Sequence, residues 1–100
     1  MSAVANPARG EASIAGHRLR PSFAALVAAE GELGSLFALV ERAVDGRLTL
    51  AETVALLWHC CDPRPDGLSR DDFSEAVTVA GLTAITPALR VLLGQILQGR

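Results

Sequence analysis

The sequence predicts an α+β fold that is mainly helical, with an N-terminal β-hairpin packed on a compact bundle of four to five short helices. Three observations predict it. Polar and apolar residues alternate with a period of two only between Gly10 and Arg20. Beyond Pro21 the apolar residues recur at helical spacing, and capping and stop residues cut that remainder into short pieces. The chain has 100 residues, 50% hydrophobic and 20% charged, which is material for one domain with one core. The expected organisation is a flexible arm over 1–9 and a single domain over 10–100.

Each element has a local signature. Residues 1–9 are small, include Pro7 and show no periodicity. Ala12 and Ile14 alternate with Glu11 and Ser13, Leu19 alternates with Arg18 and Arg20, and Gly16 supplies the turn between them. A hairpin of that size is marginal alone and must pack on helices. Pro21-Ser22 ends the strand and caps a helix with Phe23, Leu26, Val27 and Glu30 at helical spacing; Gly31 weakens it and Gly34 ends it. A second helix starts at Ser35 with the stripe Leu36, Leu39, Val40, Ala43 and Val44, and stops at Asp45-Gly46. Thr49-x-x-Glu52 is a capping box for a third helix running through Val54, Leu57, Trp58 and Cys61. Asp62-Pro63-Arg64-Pro65-Asp66-Gly67 is a loop. Ser69 caps a fourth helix with Asp71 and Asp72 in its first turn and Phe73, Ala76, Val77 and Ala80 facing inward, and Gly81 stops it. Thr86-Pro87 is expected to open a fifth helix, with proline at the first position. That helix is apolar around most of its circumference, which predicts either a central place in the bundle or a face left for a partner. No later element follows to cover it, and this favours partial exposure.

Composition excludes several classes of function. The net charge is −2 and all nine basic residues are arginines scattered among acids, so no basic stripe for nucleic acid exists. The chain does not open with a basic region followed by an apolar run, and no apolar run reaches the roughly 20 residues that span a bilayer, so a cytoplasmic protein is expected. The two cysteines, Cys60 and Cys61, are adjacent and build no disulfide framework.

Candidate chemistry is sparse. The stretch from Glu41 to Glu52 imitates a calcium loop, but it has Glu41 where Asp is expected and Ala43 where an oxygen ligand is needed. A second imitation, Asp62 to Phe73, has Arg64 at a ligand position and Phe73 in place of the bidentate Glu. His59-Cys60-Cys61 suggests zinc or thiol chemistry. Zinc asks for about four ligands, however, and the C-terminal end of a helix raises a thiol pKa. Glu30, Glu32, Glu41, Asp71, Asp72 and Glu75 suit solvated faces. Arg18 and Arg20 share a strand face with Arg9 nearby, a modest basic patch suited to an acidic protein partner. The expectation is no catalytic residue, no metal and no cofactor.

Asn6-Pro7-x-Arg9-Gly10-Glu11, then Arg20-Pro21-Ser22-Phe23-x-Ala25-Leu26 with Glu30 and Gly34, resemble the gene-transfer-agent family of small phage-tail proteins. Leu82-Thr83-x-x-Thr86-Pro87-Ala88-Leu89-Arg90-x-Leu92-Leu93 through Ile96-Leu97-x-Gly99 is similar to the end of the same family. The resemblance implies a non-enzymatic protein of a phage-like tail, either a tail tube component or a tail assembly chaperone. Tail tube subunits are β-rich, so a chain with one hairpin and several helices points to the chaperone. Its implied partners are the tape-measure protein and the tail tube protein, met mainly through Leu89, Leu92, Leu93, Ile96 and Leu97. A second copy of the chain is a further candidate partner; nucleic acid and membrane are not. The implied place is the cytoplasm of the producing bacterium, or else the particle tail. The rival from another class is a small metal or thiol enzyme using His59, Cys60 and Cys61.

Overall fold

The computed structural model describes residues 12–99; the arm expected over 1–9 lies outside them, as do Gly10 and Glu11. Strands β1 (Ala12–Ile14) and β2 (His17–Leu19) pair antiparallel, Ala12 opposite Leu19 and Ile14 opposite His17. The register buries Ala12, Ile14 and Leu19 and leaves Ser13 and Arg18 in solvent, as alternation requires. Both link residues have positive φ, 52° at Ala15 and 79° at Gly16, which is what a two-residue hairpin turn needs. Ala15 makes that turn at a steric cost glycine would not incur.

Five helices follow: α1 (Phe23–Leu33), α2 (Leu36–Val44), α3 (Leu50–Cys60), α4 (Arg70–Ala80) and α5 (Leu82–Gln98). Four start on the hydroxyl caps expected of them. Ser22, Ser35, Thr49 and Ser69 accept from the backbone N–H groups of Ala25, Ala38, Glu52 and Asp72 at 3.2, 3.3, 3.1 and 3.0 Å. At Thr49 the box is complete, because its own N–H donates to Glu52 Oε1 at 3.0 Å.

Helix α3 is the axis of the packing. It lies between α1 and α4, and six of its eleven residues are buried. Helix α2 packs on α1, while α5 packs on both α4 and β1. Leu19, Leu39, Leu56, Leu57, Phe73, Val77 and Leu92 are fully enclosed between these layers. Phe73 sits between the rings of His17 and Trp58, each 5.5 Å away centroid to centroid, tying hairpin, α3 and α4 together.

The structure corrects four expectations. Helix α3 ends at Cys60, and Cys61 is extended and forms an antiparallel bridge with Leu19. The Arg20 N–H donates to Cys60 C=O at 2.7 Å and the Asp62 N–H to Arg18 C=O at 3.0 Å. The end of α3 thus finds hydrogen bonds on the hairpin rather than in another turn.

Helix α5 starts at Leu82, not Thr86-Pro87, so Pro87 lies inside it. Gly81, at φ 92°, is at once the end of α4 and the cap of α5, turning the chain by 111° with no loop. The N–H groups of Ala84 and Ile85 both reach the Gly81 carbonyl at 3.0 Å. Burial of Ile85 on the added turn offsets the one ladder bond that Pro87 cannot donate.

Helix α1 presents a different face. Phe23 is 85% exposed and Val27 also points outward, while Ala25 and Ala29 are buried. Residues 23–29 are all apolar, so their spacing selects no face, and alanines let α1 lie close on α3. Finally, Val44 of α2 and Ala80 of α4 are exposed beyond the ends of their packed stripes.

Ala15→Gly should stabilise the fold by about 1 kcal/mol by relieving the left-handed alanine, read as a higher urea midpoint at unchanged slope. Phe73→Ala should cost about 3–5 kcal/mol in the same measurement, because the site is closed on all sides.

Candidate partner-binding groove

Starting α5 at Leu82 puts Leu82, Ile85, Leu89 and Leu93 on one stripe at spacings of three and four. The stripe forms one wall of a groove of about 550 Å³. The other wall is the end of α2, the α2–α3 connection and the start of α3, through Ala43, Val44, Leu48, Leu50 and Thr53. Ile85, Leu93 and Thr53 are buried and make the floor. Val44 and Leu82 stand at the rim, 65% and 67% exposed, with Leu50 half-exposed beside them. Among the described residues Arg90 is the only charged one in the lining. A lining of this kind takes up apolar side chains.

The residues expected to meet a partner divide among three places. Leu89 and Leu93 line the groove. Leu92 is fully buried in the core, and Ile96 packs half-buried against it. Leu97 is exposed near the end of α5, outside the groove lining. Arg18 is exposed on β2, and Arg20 Nη1 is 3.3 Å from Asp62 Oδ2, so half of the basic patch is neutralised within the chain. Arg9 lies outside the described residues. Sequence reasoning missed Val44, Leu50 and Leu82. Val44 continues the stripe of α2 that packs inward, and Leu82 precedes the proline taken as the helix start.

The polar side chains hold helices to one another. Glu32 of α1 accepts from His59 Nε2 of α3 at 2.8 Å and from Arg70 Nη2 of α4 at 2.6 Å. These hydrogen bonds, Arg70's first and His59's second, lower the Glu32 carboxyl from 4.5 to about 2. Arg42 Nη1 of α2 lies 2.9 Å from both carboxylate oxygens of Glu52 on α3. Glu30 Oε2 accepts from the Leu36 N–H at 2.9 Å, so this acid caps α2.

A shallower depression holds the His59-Cys61 region, beside Ser22, Ala24, Ala28 and Arg64. Arg64 lies 4.0 Å over the Trp58 ring and donates to Trp58 C=O at 2.8 Å. Burial pushes the Cys60 thiol up to about 12 and raises Cys61 as well, so neither is an activated thiolate at neutral pH. Among the described residues no three His, Cys, Asp or Glu side chains are grouped to hold a metal ion.

A family model described as "Phage tail tube protein, GTA-gp10" matches residues 10–99. No curated protein and no solved structure matches the chain.

The Glu32 carboxyl is depressed in the folded state, so its contribution is present above its ordinary 4.5 and lost as pH falls from there toward 2. Acid titration followed by circular dichroism should show this loss, and Glu32→Gln should remove that part of the pH dependence. The effect will be modest, because the group is partly solvated.

Proposed function

The chain belongs to the GTA-gp10 phage tail tube family, and from that starting point we propose that it serves tail assembly as a non-enzymatic chaperone. Its client is the tape-measure protein, held as an apolar helix in the groove between α5 and the α2–α3 corner. The groove carries this reading: an apolar floor, exposed Val44 and Leu82 at its rim and one charge, Arg90, which is the lining that helix-in-groove recognition uses. The small strand content supports the same reading. Two strands of three residues each give little material for a tube wall closed by β-strands. The raised thiols and the engagement of His59 with Glu32 favour a binding role over catalysis at His59, Cys60 and Cys61. In this reading the protein works in the cytoplasm of the producing cell, before the tail is complete.

A structural place in the tail is the second reading, and the family description itself favours it. The two differ in stoichiometry. A chaperone is captured with the tape-measure protein from a producing lysate and is depleted from purified particles. A structural subunit is recovered from particles at ring-like copy number.

Val44→Glu with Leu82→Glu should leave the helical circular dichroism unchanged, since both side chains are exposed, and should reduce tape-measure capture by at least about tenfold. Capture at the wild-type level by the doubly substituted protein would remove the groove from the mechanism.

A further inference from the structure

Gly31 is an interior residue of α1, where glycine costs helix stability relative to alanine. Nothing inside the described fold accounts for it. Its φ is not positive, and a Cβ built there meets no atom within 4 Å. It lies on the outward face in line with Phe23 and Val27, every fourth residue of one helical ridge. Phe23 leaves a whole aromatic ring in solvent, a side chain that normally buries about 150–250 Å². A projecting ring and a bare stretch of backbone thus stand at equal distances on either side of Val27.

We propose that two copies of this chain pair through antiparallel α1 helices about a two-fold axis at Val27, each Phe23 seated against the backbone at the partner's Gly31. The spacing is self-complementary, because the axis that superposes one Val27 on the other brings position 23 level with position 31 twice. Such an isologous contact closes at two copies. Charge selects the antiparallel direction. Helix α1 has no charged residue before Glu30, which is exposed at its C-terminal, negative pole, while Glu32 is held by Arg70 and His59 within the chain. Antiparallel pairing sets Glu30 near the positive N-terminal pole of the other copy, whereas parallel pairing would set Glu30 against Glu30. A second copy therefore fits this face in shape and in charge. The groove on α5 shares no residue with it and stays open in the pair.

The face is small, so the association is weak and needs a concentration series. Sedimentation equilibrium on the full chain from about 10 μM to about 1 mM should show the mass rising from monomer to dimer and no further. Phe23→Ser and Gly31→Leu should each weaken dimerisation at least about tenfold. Gly31→Leu should also raise the thermal midpoint of the monomer, since leucine is the better helix former and faces open space. A more stable protein that associates less well is not the result of damaged folding. A mass that stays monomeric across the series, or dimerisation unchanged by Gly31→Leu, would overturn the proposal.

Discussion

The fold depends on how the buried end of α3 satisfies its backbone. A helix leaves its last carbonyls without intrahelical donors, and an unpaired carbonyl away from water is expensive. Here α3 is the most enclosed helix, and Cys60 at its end is fully buried. The hairpin side supplies the partner of the last carbonyl, Arg20 N–H donating to Cys60 C=O, while Trp58 C=O accepts from the Cys61 N–H and from Arg64 Nη2; Asp62 N–H returns a bond to Arg18 C=O. Each side stabilises the other. A two-stranded hairpin of six paired residues is marginal in water, and here its second strand pairs with β1 and with the residues following α3. With β2 held there, His17 meets Phe73 and Leu19 enters the core, so the hairpin closes one end of the bundle.

What was legible in the sequence was local. Serine and threonine caps act within four residues, so Ser22, Ser35, Thr49 and Ser69 marked four helix starts correctly. The alternation of Ala12, Ile14 and Leu19 fixed the buried hairpin face for the same reason. What was not legible depends on distant partners. Cys61 reads as helical until Leu19 is beside it, and Pro87 reads as a start until Gly81 is seen to cap a turn further back. The candidate groove repeats the division. Leu89 and Leu93 were visible as apolar helix positions, whereas Val44 and Leu50 become wall residues only when the α2–α3 corner meets α5 in space.

Polar groups in this molecule join elements. Glu32 links three helices through His59 and Arg70, Arg42 and Glu52 link α2 to α3, and Glu30 caps the helix that follows its own. Other charged side chains, among them Arg18, Asp71, Asp72 and Glu75, are exposed, and beside them the chain carries exposed apolar surface. That surface includes two separate regions, the groove along α5 and the ridge of α1, and further apolar side chains stand exposed outside both at Phe37, Val79 and Leu97. The groove lining and the ridge share no residue.

Trp58 gives the molecule a built-in optical reporter. It is the chain's one tryptophan and there is no tyrosine, so near-ultraviolet emission comes from a single ring. That ring touches Phe73 on one side and carries the Arg64 guanidinium on the other, at the junction of α3, α4 and the hairpin. The groove is lined instead by the opposite end of α3, at Leu50 and Thr53. Emission from the unlabelled protein therefore follows the opening of the hairpin end and is largely blind to what fills the groove, so loosening of the fold and loading of the groove can be told apart in one sample.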